Sequence, residues 1–200
     1  MEILIDDILT ESLEKAITYK EYRELVTALV EEGKSTGLVQ NESLSNYSVL
    51  NDKRMKRLDK TVKLTEEILE KAREFDGDVS WLVLTESWCG DAAQTMPVME
   101  KIAELNEGID FKVVLRDENE ELMDRFLTNG ARSIPKLIVV DNKSKEVLNT
   151  WGPRPSVATK MVQDYKEEHG SLTPEFKQDL QVWYNKDKGQ NTAEDLADLL

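Results

Sequence analysis

The sequence has little of several residue types on which common protein functions depend. Its 200 residues include one cysteine, Cys89, and one histidine, His169. A single cysteine excludes a disulfide within the chain and is typical of a reducing compartment. One cysteine and one histidine are too few for a typical zinc site. The sequence therefore implies no metal and no organic cofactor.

Positive charge and long apolar runs are also scarce. Lys and Arg total 26 against 40 Asp and Glu, which gives a formal net charge of −14. Nucleic-acid binding needs a surplus of basic residues, so this balance argues against a nucleic-acid partner. The longest apolar runs, such as WLVL, fall far short of the roughly 20 residues that cross a bilayer. The acidic start, MEILIDDILTE, has no basic signal-peptide region, and we expect a cytoplasmic protein without membrane association.

Apolar residues in the first part of the chain recur at helical spacing. Thr18 and Glu21 have the spacing of a capping box, and an apolar stripe follows them. A second stripe runs from Leu58 to Ala72. The sequence therefore predicts a helical N-terminal extension over residues 1–76, which either packs on the rest of the chain or forms a partner-binding arm.

From Val79 onward, strands alternate with helices. VSWLVLTE and IDFKVVLRD are typical of buried strands, and a helix over residues 91–106 joins them, so they should pair in parallel. ENEELMDRFLTNG is predicted as a helix that ends at Asn129-Gly130. KLIVVD and EVLNTW predict an antiparallel hairpin, which a further helix follows. This order predicts an α/β domain over residues 77–170, with a central mixed sheet flanked by helices.

After the α/β domain the chain returns to helices alone. Thr173 and Pro174 are typical of an N-cap and a first helical residue, and a last short helix is predicted near the end. The predicted C-terminal extension covers residues 171–200. Trp183 and Tyr184 are its expected anchors on the α/β domain.

The stretch from residue 79 to residue 169 resembles a thioredoxin domain. A strand leads into Trp88-Cys89-Gly90, and Pro97 lies eight residues after the cysteine, as does the proline that kinks the active-site helix of thioredoxins. The tripeptide that ends at Pro135 follows a helix and opens the strand KLIVV, as does the family's cis-proline. These matches imply a thioredoxin-like fold with helical extensions at both ends.

The resemblance also implies which residues form the site. Cys89 corresponds to the family's nucleophile, and a cis Ile134–Pro135 peptide is expected to face it across a groove for an extended substrate. Because cis peptides are rare even before proline, this expectation rests on the resemblance. The supporting positions are Trp88, Gly90, Asp91 and Ala92.

The chain departs from the family at the second cysteine. The dithiol motif Cys-Gly-Pro-Cys is replaced by the sequence CGDA over residues 89–92, so Ala92 offers no sulfur to resolve a mixed disulfide. Val83 stands where the family has its proton-relay aspartate. The segment WGPRP stands near the place of the glutathione clamp of glutaredoxins, and Arg154 within it either binds an anionic thiol or stabilises the turn.

The position of Cys89 at a helix start bears on its reactivity. A free thiol has a pKa of about 8.5, and the unpaired amide groups of a helix N-terminus favour the thiolate. A carboxylate nearby has the opposite effect, and Asp91 lies in the same turn. We therefore expect Cys89 to be less acidic than a thioredoxin nucleophile.

Three functions remain open at this point. The first is monothiol thiol–disulfide exchange, in which Cys89 attacks a protein disulfide, a low-molecular-weight disulfide or a sulfenic acid, and an external thiol resolves the adduct. The second is a non-redox module that holds a protein partner in the groove beside Pro135. The third is an oxidant-sensing thiol. Free cysteines are often buried and inert, and a buried Cys89 would favour the second function.

Overall fold

A computed structural model describes residues 5–200 and divides them into helices and strands. The helices of this part of the chain are α1 (Ile5–Lys15), α2 (Tyr19–Glu31), α3 (Glu42–Thr61), α4 (Glu66–Glu74), α5 (Gly90–Ala103), α6 (Glu120–Arg125), α7 (Ser156–His169), α8 (Pro174–Asp187) and α9 (Gln190–Ala197). The strands are β1 (Ile17–Thr18), β2 (Val79–Thr85), β3 (Ile109–Leu115), β4 (Lys136–Asp141) and β5 (Val147–Trp151). A short 3₁₀ helix, Arg116–Glu118, follows β3.

The strands form one mixed sheet in the order β1-β3-β2-β4-β5. β2 lies at the centre and is buried along its whole length, as its nearly continuous apolar sequence predicts. It pairs in parallel with β3, to which α5 connects it, and antiparallel with β4. β4 and β5 form the predicted antiparallel hairpin. The predicted α/β class, a mixed sheet flanked by helices, is confirmed.

The helical N-terminal extension also contains a two-residue strand, β1, which the sequence did not predict. Ile17 pairs with Val113 and Thr18 with Lys112, at the edge of the sheet. Thr18 then begins α2 with the predicted capping box: its hydroxyl accepts the amide of Glu21 at 3.2 Å, and the Glu21 carboxylate accepts the amide of Thr18 at 2.8 Å. A strand of two residues is too short to show an alternating pattern in the sequence. These two residues are extended because they pair with the edge of β3.

The second apolar stripe of the N-terminal segment belongs to two helices rather than one. α3 ends at Thr61, and Val62 after it is extended and buried. Thr65 begins α4, where its hydroxyl accepts the amide of Ile68 at 3.4 Å. Apolar side chains face the core on both sides of the break, which is why the stripe continues through it.

Helix α6 is shorter than the sequence predicts. It ends at Arg125, and Asn129 and Gly130 lie instead in a tight turn with φ of 51° and 75°. Thr128 and Ala131 close this turn by exchanging two backbone hydrogen bonds, of 2.9 Å and 3.0 Å. Asn-Gly is the preferred pair of two-residue hairpin turns as well as a helix stop, so the dipeptide alone fits both structures.

One hydrophobic core receives residues from all three predicted segments. Trp81 of β2 is fully buried in it, together with Tyr22 of α2 and Leu196 of α9. A second and smaller cluster lies between α7 and α8 and includes Phe176 and Leu180. The apolar side of α8 therefore packs on α7 rather than on the main core. Among the helices of residues 5–200, none combines the length and the apolar content that a membrane span requires.

The carboxyl group of Glu100 on α5 is expected to make the stability of the folded protein depend on pH. Burial, together with the negative charges of Glu104 and Asp59, raises the pKa of Glu100 from its ordinary 4.5 to about 7. The folded protein thus holds a proton that the unfolded chain releases, so its stability falls as pH rises from about 4.5 through 7. We expect Glu100→Gln to raise the free energy of unfolding by about 1 kcal/mol at pH 8, allowing for solvent screening, and to change it little at pH 4.

Denaturant unfolding at the two pH values measures this difference. Glu107→Gln is the control, because Glu107 is an exposed carboxylate just beyond the same helix. If Glu100→Gln changed stability equally at pH 4 and pH 8, the carboxyl group would not titrate differently in the folded and unfolded protein.

Candidate functional site

Cys89 lies at the N-terminus of α5, where it is the N-cap residue. Its Sγ accepts the amide N–H of Ala92 at 3.4 Å and donates to the carbonyl oxygen of Ile134 at 3.3 Å. The Ile134–Pro135 peptide is cis. These residues meet because the C-terminal end of β2 pairs with the beginning of β4, at Leu84 and Lys136. The sheet thereby places the first turn of α5 beside the segment that leads into β4.

The thiol is almost closed to solvent. Cys89 is 8% exposed and Ala92 is 1% exposed. Burial raises the pKa of Cys89 to about 12, and the negative charge of Asp91 adds to the shift, whereas the amide of Ala92 opposes it. At pH 8 the closed site therefore holds the thiol and not the thiolate. The carboxylate acts in the direction that the sequence predicts, but burial is the larger cause.

Two side chains hold the carboxylate of Asp91. The Arg154 guanidinium lies 2.8 Å from Oδ2, and the Tyr184 hydroxyl donates to Oδ1 at 2.9 Å. Burial nevertheless raises the pKa of Asp91 above its usual range. Arg154, for which the sequence left two roles open, thus pairs with a residue of the candidate site. Tyr184 is buried and joins α8 to the domain, while Trp183 packs at the edge of the cluster between α7 and α8.

Gly152 allows the segment that carries Arg154 to reach this position. Its φ is 113°, a conformation that favours glycine, and a Cβ atom would lie 2.2 Å from the carbonyl oxygen of Pro135. No larger residue fits between these two backbones. The close approach brings the segment after β5 against the loop beside Cys89, and Arg154 follows directly.

Residues of the N-terminal extension form hydrogen bonds with Ser87, two positions before the thiol. Ser87 exchanges two hydrogen bonds with Thr36, through the Thr36 amide at 2.9 Å and its own amide at 2.7 Å. The hydroxyls of Ser87 and Ser48 lie 2.7 Å apart, and the side-chain amide of Asn51 donates to the Ser87 carbonyl at 2.9 Å. All four residues are buried. The connection between β2 and α5 therefore depends on residues that precede the α/β domain.

Glu86 and Trp88 lie on either side of this serine. The Glu86 carboxylate is fully buried and accepts hydrogen bonds from the Thr36 hydroxyl and, at 2.9 Å, from the Asp117 amide. Burial raises the pKa of Glu86. Trp88 is half-buried, and the Arg116 guanidinium lies 4.9 Å from the centre of its ring. Glu86 was not among the residues expected from the sequence, although the polar pair Glu86-Ser87 directly after a buried strand was the available signal.

Helices from both extensions cover Gly90. A Cβ atom there would lie 3.6 Å from Nη1 of Arg54 on α3 and 3.6 Å from Nε2 of Gln181 on α8. Gln181 also accepts a hydrogen bond of 2.9 Å from Gln94 of α5. With Tyr184, this gives α8 two polar contacts to α5. Sequence reasoning missed Arg54 and Gln181, because no motif indicates which face of each extension meets the thiol.

The reactive group of this site is the thiol of Cys89. Within residues 5–200, no three side chains of His, Cys, Asp or Glu lie together in an arrangement that could hold a metal ion. A thiolate at Cys89 has a stabilising amide in Ala92. The Ile134–Pro135 peptide lies against the same sulfur, and both of its residues are buried, so the groove expected beside Pro135 is closed in this structure.

Comparisons with known proteins relate this geometry to a family. The family model described as thioredoxin matches residues 37–166, which is 130 of 200 residues and includes α3 and α4. The search of curated proteins finds no match. The 1.5 Å crystal structure of a protein of unknown function from Pseudomonas aeruginosa superimposes with a TM-score of 0.57 at 18% identity, over 92% of this chain and 96% of that chain. An HIV epitope-scaffold gives a TM-score of 0.55 at 16% identity, over 92% and 97%.

The solved structures show similarity of fold, whereas the family model shows membership of a family. Identities this low relate the two solved structures to this chain by fold alone, and fold does not determine activity. The family model, by contrast, spans well over half of the sequence and contains the thiol, the cis peptide and the strands that position them. On that match, the chain belongs to the thioredoxin family, with a thioredoxin-like fold that carries helical extensions at both ends.

Proposed function

We propose that the protein carries out monothiol thiol–disulfide exchange through Cys89. The observation that supports this is the position of Sγ, which lies 3.4 Å from the Ala92 amide and 3.3 Å from the carbonyl oxygen of Ile134. An amide aimed at the sulfur stabilises the thiolate as it forms. A backbone segment beside the thiol can pair with an extended polypeptide that contains the disulfide.

The exchange has two steps, and each conserves the number of disulfide bonds. The Cys89 thiolate attacks one sulfur of a disulfide RS–SR′, the S–S bond breaks, and the released R′S⁻ takes up a proton. A second, external thiol R″SH then attacks the mixed disulfide as its thiolate, which forms RS–SR″ and returns Cys89 to the thiol. The external thiol is needed because Ala92 has no sulfur. RS–SR′ is a protein disulfide or the disulfide of a low-molecular-weight thiol.

The enclosed thiol must become accessible before the first step. In the closed conformation Cys89 is only 8% exposed, so a disulfide cannot reach its sulfur. Its pKa of about 12 also keeps the thiol protonated near neutral pH. α8 is the element best suited to move, since its contacts to α5 are the polar ones of Tyr184 and Gln181. Displacing α8 hydrates the thiol and thereby lowers its pKa, because burial is the main cause of the shift.

Mass spectrometry of the intact protein tests the exchange. We expect oxidised glutathione at pH 8 to add once to the folded protein, and reduced glutathione to remove the adduct. Cys89→Ser is expected to take up none. The proposal fails if the folded protein gains no adduct while the same protein in denaturant gains one.

Tyr184→Phe tests the movement of α8 within the same assay. The change removes the hydroxyl that donates to Asp91, a hydrogen bond to a charged group that is worth about 1.5 kcal/mol or more. We therefore expect adduct formation about tenfold faster than in the unaltered protein. Tyr165→Phe is the matched control, because its hydroxyl lies 3.0 Å from that of Thr173, at the α7–α8 cluster and away from Cys89. A Tyr184→Phe protein that formed the adduct no faster than the unaltered protein would mean that α8 does not control access.

The burial of Cys89 also favours a second function, a non-redox module that binds a protein partner. In such a protein the sulfur fills space beside the buried Ile134–Pro135 peptide and need not ionise, which agrees with its raised pKa. The glutathione experiment separates the two functions, since a binding module gains no adduct while folded. An oxidant sensor would need the same displacement of α8, because oxidation also proceeds through the thiolate.

A further inference from the structure

A cavity of about 420 Å³ lies between the C-terminal end of α3 and the connection from α8 to α9. Arg57, Lys63 and Lys188 contribute three cationic side chains to its wall. Across the part of the chain that the structure describes, the residues that line the cavity include no Asp and no Glu. This is unexpected on a protein whose formal net charge is −14.

The three cations are not neutralised by neighbouring carboxylates. Within residues 5–200, none of them forms an ion pair. Arg57 donates instead through Nη2 to Oδ1 of Asn185 at 2.7 Å, a neutral partner that holds the guanidinium at the cavity. The carboxylate beside Lys188, that of Asp187, is used at the start of α9, where both of its oxygens lie 3.2 Å from the Asn191 amide.

Arg54, one turn before Arg57 on α3, also has a neutral partner rather than a carboxylate. Arg54 is half-buried and donates to the neutral side chain of Asn51 at 2.9 Å. Burial lowers the pKa of Arg54, and the positive charge of Arg57 lowers it further. Positive charges therefore crowd together along this face of α3, which raises the local affinity for an anion.

The chemistry of these groups favours phosphate over other anions. A guanidinium presents a planar set of donors that matches phosphate oxygens, and lysines add mobile point charges that suit an anion of more than one charge. The volume lies within the range of about 300–1,000 Å³ that is usual for small-molecule sites, and is much larger than a phosphate group alone needs. Leu58 and Tyr184 supply an apolar wall for the remainder of a ligand.

We propose that this cavity binds a small organic molecule through its phosphate group. The phosphate lies among Arg57, Lys63 and Lys188, and the organic part rests against Leu58 and Tyr184. This binding requires no reaction at the sulfur, so it holds or fails independently of thiol exchange.

Isothermal titration of the full chain with pyrophosphate, at constant ionic strength, tests the cation site. We expect saturable binding of one molecule, and a loss of affinity of about five- to tenfold for each of Lys63→Gln and Lys188→Gln. Lys177→Gln is the control, because it removes one exposed positive charge from α8 outside the cavity. Circular dichroism confirms that each variant is folded. Binding that does not saturate, or an equal loss in Lys177→Gln, would overturn the proposal.

A second titration tests the organic part of the ligand. Ribose 5-phosphate and inorganic phosphate share the charged group, and only the first can reach the apolar wall. We expect ribose 5-phosphate to bind more tightly than inorganic phosphate, and ribose not to bind. If inorganic phosphate bound equally well, the cavity would recognise a free inorganic ion and the proposed ligand class would be wrong.

Discussion

Asp91→Asn is expected to speed the alkylation of Cys89 at pH 8 by at least about tenfold. The Asp91 carboxylate is, after burial, the largest cause of the raised pKa of Cys89, and one unit of pKa changes the thiolate fraction about tenfold. Asparagine keeps the size of the side chain and an oxygen that can accept the Tyr184 hydroxyl. Arg154 keeps its positive charge near the sulfur without the partner carboxylate at 2.8 Å, which lowers the pKa of the thiol further.

The rate of reaction with iodoacetamide, followed from pH 7 to pH 9, measures this effect. Asp179→Asn is the control, because it removes the same charge from an exposed position on α8. Tyr184→Phe is the second comparison, because it loosens α8 without removing a charge. If the double variant Asp91→Asn/Tyr184→Phe reacted no faster than Tyr184→Phe alone, the effect of Asp91→Asn would come from the release of α8 and not from electrostatics at the sulfur.

Ala92→Cys is expected to form a disulfide with Cys89. Ala92 lies three residues after Cys89 in the first turn of α5, which is the spacing of the family's dithiol motif, and its amide is 3.4 Å from Sγ. A second thiol held there attacks a mixed disulfide at an effective concentration that no free thiol reaches. The glutathione adduct of this variant should therefore disappear without added thiol.

Two readouts show the disulfide directly. The oxidised Ala92→Cys protein should be lighter than the reduced protein by two hydrogen atoms, and neither thiol should react with an alkylating agent until a reductant is added. Ala93→Cys is the matched control, since Ala93 is as buried as Ala92 but lies one position further along the helix. An Ala92→Cys protein that keeps two free thiols under oxidised glutathione would show that the two sulfurs cannot adopt disulfide geometry.

The parts of the fold that follow from short-range patterns could be predicted from the sequence. β2 and β4 are nearly continuous apolar runs, and the capping box at Thr18 and the N-cap at Thr173 depend on residues only three positions away. Strand β1 could not be predicted in this way, because Ile17 is extended only through its pairing with Val113. Asn129-Gly130 fits both a helix end and a hairpin turn, so contacts outside the dipeptide decide between them.

The same distinction applies to the candidate site. The position of Cys89 at the start of α5 follows from local sequence, as does the proximity of Asp91 in the same turn. The extent to which the thiol is buried does not, because the residues around it are distant in sequence: Ile134 contacts Sγ, and Arg54 and Gln181 approach the neighbouring Gly90. Local sequence therefore indicates the charge that acts on the sulfur but not the larger effect of burial.

The residues that cover Cys89 are synthesised at different times, because some precede it in the chain and others follow it. The hydrogen bonds of Ser87 reach back 51 positions to Thr36, so their partners already exist when the thiol emerges from the ribosome. Tyr184 lies 93 positions after Asp91 and is made much later. Until α8 has been translated and has docked, α5 therefore lacks its hydrogen bonds to Tyr184 and Gln181. The contacts that close the site from the side of α8 are thus the last to become available, long after those that hold Ser87.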